Sequence, residues 1–553
     1  MLVQDTFLPS ATHSLHDPAR LSKLPYLFLC TFIPISGRVS SSHLLTLVRI
    51  LLSRSRTSSV DFTNYNSNPR MKNLLLTALA AAPLISSISA LSLAARTQSP
   101  RVVQLATTRK TVNPVEHDRN RLRRRDGTVG VTLDNAATLY FADCTLGTPA
   151  QTFRLHIDTG SSDLWVNSPN STFCQSTQGS CAGGTYDPSS SSSYKFVNGN
   201  FNISYVDGTG ALGDYVSDTL TIGGVSITDF QFGVGFESTS SEGVLGIGYV
   251  SNEVQVNRGG GQSYPNLPQA MVQGNLITTN AYSLWLNDLD ANTGSILFGG
   301  VNKDKYHGEL ATIPIIKEFG AYLEFIIALT GVKITDGSSS TSLDSSSSLP
   351  TAALLDSGSS LMYLPNDITE AIYNNVDAVY DSQNGIAYVA CSLANNASTL
   401  DFDFSGQTIQ VPYNELVLDI GSSSGQPLTF SNGEPACIFG VAPAQGAEPV
   451  LGDTFLRSAY VVYDLANNEI SLAQTNFNST TDDIVEITKS SGVPGATEVA
   501  SPVTTVAAET GGARIGSPTS TGTTVPNAAS VDLVHFGVMG AALGVVGVIF
   551  IML

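Results

Sequence analysis

Basic residues are scarce where the chain reads as folded. From Asp126 onward there are 10 Lys and Arg against 41 Asp and Glu, a net of −31. The leader before it holds 17 Lys and Arg against 5 Asp and Glu, a net of +12. An acidic body excludes a nucleic-acid surface, which needs basic patches. Cysteines are also few: Cys30, Cys144, Cys174, Cys181, Cys391 and Cys437. Their spacings match no zinc site. Cys174 with Cys181 can close a short loop, and Cys391 with Cys437 a longer one. Two such disulfides imply an oxidising compartment. Cys144, in a strand-like stretch, reads as a buried free thiol. Helical segments are few, with candidates at Asp367–Tyr380 and Leu267–Gly274.

Along the chain, residues 1–70 fit no domain and read as a gene-model extension or an unstructured leader. Met71 is the better start. Lys72, the apolar run Leu74–Ile88 and Ile88-Ser89-Ala90 compose a secretory signal over 71–90. Residues 91–125 are basic, short and without an evident core. They end in Arg121-Leu122-Arg123-Arg124-Arg125, a run suited to a kexin-like processing protease, and read as a propeptide.

From Thr128 to about Gln474 the pattern is all-β. Alternating runs such as Leu139–Leu146 and Gln151–Ile157 are punctuated by turn residues. Gly223-Gly224, Gly299-Gly300 and Asn198-Gly199 read as turns, and the serine runs Ser189–Ser193 and Ser338–Ser348 as surface loops. Residues 478–530 form a Ser/Thr-rich stem, and 531–553 end in the uncharged run Phe536–Leu553. No basic residue follows that run, as one would after a spanning helix. Small residues at Asn527-Ala528-Ala529 or Gly522, a polar spacer and this tail match a GPI-attachment signal.

The organising feature is a duplication. Leu155-His156-Ile157-Asp158-Thr159-Gly160-Ser161 returns as Ala353-Leu354-Leu355-Asp356-Ser357-Gly358-Ser359, and the aspartates lie 198 residues apart. Val244-Leu245-Gly246 follows the first copy and Val450-Leu451-Gly452 the second. Two homologous lobes are expected, 126–315 and 316–477, with the carboxylates face to face across a pseudo-twofold axis. Two such carboxylates cannot both ionise cheaply, so the pair holds one proton over a broad acidic range. The ionised one can take a proton from water while the other donates to a carbonyl, which suits amide hydrolysis without a covalent intermediate. Ser161 and Ser359 are placed to hold the outer carboxylate oxygens. His156 shares a strand face with Asp158 and reads as a core residue, since the second copy has Leu354 there.

These motifs resemble the pepsin family (A1) of aspartic proteases, in particular the fungal GPI-anchored yapsin-like and candidapepsin-like branch. The resemblance covers roughly Leu139 to Thr475 and includes Tyr140-Phe141, Leu146-Gly147-Thr148-Pro149, both Asp motifs, Trp165 and Ile203-Ser204-Tyr205-Val206-Asp207-Gly208-Thr209. It implies an all-β, bilobal fold with the cleft between lobes and Asp158 and Asp356 as the catalytic dyad. Thr159, Ser161, Ser357 and Ser359 would support the dyad. Tyr205, Asp207 and Gly208 would lie on a flap over the substrate, with Trp165 hydrogen-bonded to Tyr205. Val206 stands where family flaps usually carry Gly. The implied activity is acid endopeptidase cleavage of peptide and protein substrates, with a preference for basic residues, for which Asp207 is one candidate. No metal or organic cofactor is implied, and a monomer at the plasma membrane or cell wall is expected. Sequons at Asn170, Asn202, Asn396 and Asn478 permit N-glycans. The +12 leader is expected to pair with the acidic body at neutral pH and cover the cleft until acid releases it. The alternatives are a catalytically inactive binding or inhibitor module of the same fold, or a cell-wall glycoprotein.

Overall fold

The computed structural model describes residues 100–112, 137–176, 181–205, 209–257, 261–291, 293–343, 348–419, 428–489 and 492–506. The expected signal peptide, the processing run and the attachment tail lie outside these residues, as do Val206, Asp207 and Gly208.

The first half is built from β1 (Val103–Val112), β2 (Ala137–Leu146), β3 (Gln151–Asp158), β4 (Leu164–Asn167), β5 (Lys195–Ser204), β6 (Gly210–Ile222), β7 (Val225–Ser238) and β8 (Val244–Gly246). In β3, Phe153, Leu155 and Ile157 point into the main core. His156 and Asp158 alternate onto the other face, as strand geometry requires. The strand runs antiparallel to β2 and parallel to β8, so that Asp158 lies opposite Gly246. Strand β4 pairs antiparallel with β8 and parallel with β7. Asp158 therefore ends one strand, and the chain loops past β8 before returning as β4.

The second half repeats this weave. Thr351–Leu355 runs antiparallel to Ile326–Leu329 and parallel to Val450–Leu451. Met362–Leu364 then pairs antiparallel with Val450–Leu451. The two Val-Leu-Gly landmarks are thus the strands threaded beside each aspartate loop. A 14-stranded sheet joins the halves, because Ala459–Asp464 and Glu469–Thr475 from the second half extend it beside Ala281–Trp285. One core cluster runs through both halves, from Leu155 and Ile157 to Leu355 and Leu451. Each large apolar side chain so buried contributes about 1.5–3 kcal/mol.

Several expectations need correction. The leader is not coreless: β1 lies in the large sheet between β2 and Thr293–Phe298, with Val103, Leu105 and Thr107 buried. What holds it is mainly this ladder and apolar burial, with an ion pair from Arg101 to Glu486 at 3.4 Å. Asn198-Gly199 is no turn; it lies within β5, where the register against β6 slips on both sides of Asn198. The helix expected to reach Tyr380 is Asn366–Val376, ended by Asp377 in the left-handed region, and Val379–Asp381 is a strand. The shorter helix is Leu267–Gln273. Part of the second serine run, Ser339–Ser342, is an exposed strand paired with Gly331–Asp336. The first serine run is pinned, with Ser193 donating to Asp218 at 2.6 Å and Tyr186 to the same carboxylate at 2.6 Å. Residues after Asn478 are not all free of the body: Ile484–Glu486 pairs with Gly300–Asn302, and Ala496–Glu498 runs parallel to Leu310–Thr312. Both expected disulfides are formed, and Cys144 is a buried free thiol whose pKa burial pushes up to about 12.

Candidate active site

Each aspartate is held by its own loop in the same way. Gly160 N donates to Asp158 Oδ1 at 2.8 Å, and Ser161 Oγ donates to Oδ2 at 2.5 Å. Gly358 N donates to Asp356 Oδ1 at 2.8 Å, and Ser359 Oγ to Oδ2 at 2.7 Å. With both oxygens of each carboxylate so engaged, its rotation is restricted, and each serine holds the oxygen that the glycine amide does not. The carboxylates are almost fully buried, at 4% and 0% exposure.

Glycine is required at the turn because the loops cross closely. A Cβ on Gly160 would sit 2.5 Å from Asp356 Oδ1, and one on Gly358 would sit 2.4 Å from Asp158 Oδ1. Each glycine thus backs onto the opposite aspartate, which brings the two Oδ1 atoms to a common centre.

Thr159 and Ser357 bind each other's strands. Thr159 Oγ1 donates to Leu355 O at 2.9 Å and accepts from Ser357 N at 3.0 Å. Ser357 Oγ donates to Ile157 O at 3.0 Å and accepts from Thr159 N at 3.2 Å. These four bonds tie the peptide units flanking both aspartates into one lattice. Beneath it lie Tyr282 and Tyr463, stacked at 4.9 Å, with Phe325 edge-on to Tyr463 at 4.7 Å. Burial raises the pKa of both tyrosines, and the neighbouring aspartates raise it further, Asp158 for Tyr282 and Asp356 for Tyr463. The floor under the dyad therefore adds no negative charge.

Tyr205 ends β5's run towards the site, and its amide donates to Thr209 O at 2.8 Å, closing a hairpin with β6. Trp165 Nε1 donates to Tyr205 Oη at 2.8 Å. Burial and then the charge of Asp158 hold the Tyr205 phenol well above its ordinary pKa, so it stays a neutral donor. A pocket beside the dyad is lined by Asp158, His156, Phe141, Trp165, Tyr205 and Glu242. His156 is buried there against the Phe141 ring, as a core residue that also forms pocket wall. Glu242 was not singled out from sequence; the signal for it was its place just before the landmark Val244, which pairs with His156.

Asp163, inside the first motif, was also missed. Its Oδ1 accepts from Tyr215 Oη at 2.8 Å and Tyr264 Oη at 2.9 Å, and its Oδ2 from Val254 N at 2.9 Å. Glu253 adjoins it, fully buried, with Oε2 accepting from Tyr264 N at 2.9 Å and Oε1 without a partner among the described residues. Burial, reinforced by the charge of Asp163 and opposed by the Tyr264 amide, pushes Glu253 up to about 9. These groups lie behind Trp165 and carry the cluster on which the β5–β6 hairpin and Tyr205 pack.

The sequons at Asn170, Asn202, Asn396 and Asn478 are exposed. Asn396 Oδ1 already accepts from Ser398 N and Oγ.

Residues 139–475 match the family described as eukaryotic aspartyl protease. The chain is 57% identical over 464 residues to the probable aspartic-type endopeptidase opsB of Aspergillus oryzae, covering 83% of this chain and 94% of that protein. It is 32% identical to aspartic proteinase 3 of Saccharomyces cerevisiae, over 68% of this chain and 76% of the relative. The fold resembles the crystal structure of aspartic proteinase from Irpex lacteus, with TM-score 0.50 and 22% identity, over 69% of this chain and 100% of that one.

Proposed function

Because the chain belongs to the eukaryotic aspartyl protease family, the pepsin-like group A1, and is an aspartic-type endopeptidase, we propose that Asp158 and Asp356 are its catalytic dyad. The observation that supports this most is the matched cradle: each carboxylate has one oxygen on a glycine amide and the other on a serine hydroxyl. Two carboxylates so arranged share one proton in acid. The ionised member takes a proton from the attacking water, and the protonated member donates to the scissile carbonyl oxygen. The amine leaves with a proton returned by the dyad. The Thr159–Ser357 lattice keeps both carboxylates in place, so little reorganisation is needed at the moment of reaction. Tyr205, held by Trp165, closes over the substrate as a neutral donor.

Asp158→Asn and Asp356→Asn should each reduce acid proteolysis by about a hundredfold to ten-thousandfold, since each removes a proton-transfer group. A statine-type inhibitor should bind wild type. Proteolysis that survives both substitutions at near-wild-type rate would place the chemistry elsewhere.

The finer reading is of a secreted, surface-anchored enzyme, matured by a kexin-like protease and held at the plasma membrane or wall by a GPI anchor. Supporting it are the apolar run after Lys72, the Arg121–Arg125 run and the uncharged tail Phe536–Leu553. Exposure of the four sequon asparagines supports N-glycosylation. A preference for basic residues is supported by the acidic body and by Glu242 on the pocket wall beside Asp158. Cleavage-site profiling of wild type and Glu242→Gln tests it: the preference should weaken in the variant.

A further inference from the structure

The segment after Glu469–Thr475 folds back onto the body. Ile487 and Val493 are buried, and Ala496–Glu498 runs alongside Leu310–Thr312 in parallel. Val499 N then donates to Thr312 O at 3.1 Å, and Val503 N to Ser405 Oγ at 3.0 Å. The stretch from Val499 to Val506 reaches at most about 25 Å when extended. It ends with Val506 packed on a small cluster formed by Ile326, Ala352 and Leu354, alongside Ile316 and Val450. Val503 and Val506 are half-buried, while Thr504 and Thr505 are exposed.

The position of that cluster is what matters. Ala352 and Leu354 lie on Thr351–Leu355, four and two residues before Asp356, which directly follows the strand and continues its pairing through Asp356 N to Leu451 O at 3.2 Å, so they share the aspartate's face. Ile326 and Val450 are the register partners of Leu354 on either side. Leu354 is also the counterpart of His156 in the duplicated motif, and His156 lines the pocket beside Asp158. By the repeat of the motif, the Leu354 cluster holds beside Asp356 the place that His156 holds beside Asp158. A peptide laid across both aspartates must pass over it.

We propose that Ala496–Val506 is a strap built into the enzyme, with Val506 seated in the apolar subsite beside Asp356 and competing with substrate for it. The inference rests on the endopeptidase reading of the dyad. The strap's strand pairing and backbone bonds hold Val506 at a high effective concentration, so a small contact suffices to occupy the subsite. A substrate residue entering there must first displace it, and apparent affinity falls by the fraction of molecules in which the subsite is open. The catalytic step itself is untouched.

The test is Val506→Asp in the full chain, which sets a charge against this apolar patch. With the strap seated about nine-tenths of the time, release lowers KM about tenfold at constant kcat for peptides spanning both sides of the scissile bond. A second measurement uses wild type alone: hydrogen exchange of Val499–Val506 with and without a saturating statine-type peptide inhibitor. Competition predicts faster exchange in this segment when the inhibitor is bound, because coupling between the sites is reciprocal. A folded variant with KM within about twofold of wild type, or exchange that is unchanged or slowed by inhibitor, overturns the strap. Wild type that neither cleaves peptides nor binds the inhibitor overturns the endopeptidase reading, and the strap with it.

Discussion

Glu253→Gln should change the pH dependence of stability more than stability itself. In the folded protein Glu253 is fully buried and titrates at about 9, whereas its ordinary value is 4.5. Between these values the folded chain holds a proton that the unfolded chain has lost. Unfolding is therefore favoured as pH rises, by about 1.4 kcal/mol per pH unit from this one group. From about pH 4.5 to 7 the wild type loses roughly 3 kcal/mol that the uncharged Glu253→Gln variant keeps. The amide adds a second buried N–H in place of one O–H, a cost of about 1–2 kcal/mol at every pH. The variant should then be less stable than wild type at about pH 4 by about 1–2 kcal/mol and more stable at about pH 7 by a similar margin. Denaturant unfolding followed by fluorescence of the buried Trp165 and Trp285 reads both, with Asp158→Asn as background to prevent self-digestion. The difference between the two pH values cancels the amide cost. If the stability change is the same at both pH values within about 0.5 kcal/mol, roughly a sixth of the expected swing, Glu253 is not held protonated by the fold.

Three further outcomes follow from the site and the core around it. Thr159→Val removes the hydroxyl between Leu355 O and Ser357 N, leaving two buried groups unpaired. At about 1–3 kcal/mol each, the thermal midpoint should drop clearly, and kcat with it. Trp165→Phe removes the indole donor to Tyr205. Losing one such bond, about 1 kcal/mol, should lower kcat/KM roughly fivefold while the fold, read by circular dichroism, is unchanged. Cys144, buried and with its thiol pushed up to about 12, should resist a thiol-directed reagent in the native protein and react on unfolding. Rapid native labelling would show that its strand opens.

The dyad was legible in the sequence because everything that builds each half of it is local. The strand, the turn glycine, the carboxylate and its serine lie within a few residues, and the duplication supplies the partner. What was illegible depends on pairing over long separations. Strand β1 reads as a solvated basic leader because its neighbour Thr293–Phe298 lies far along the chain. Asn198-Gly199 has turn chemistry, yet β6 pairs with the chain on both sides of it, which leaves a bulge. Val379–Asp381 has helical neighbours but is drawn into a strand by Ile386–Ala390. Asp163 looks like an ordinary motif residue until Tyr215 and Tyr264 reach it from elsewhere in the fold. The Ser/Thr-rich composition after Asn478 hides the few valines and isoleucines that bind it to the body.

Thr159 and Ser357 also determine how damage at the centre would combine. Each hydroxyl both accepts from and supports the other's loop. Each substitution removes its own two bonds, but both pairs hold the same two loops in register, so the first loosens what the second would strain and the costs do not simply add. The two loops behave as one inherited unit: a change tolerated in one is judged by the residue present in the other. Drift at this position in either half of the duplicated chain is therefore constrained as a pair.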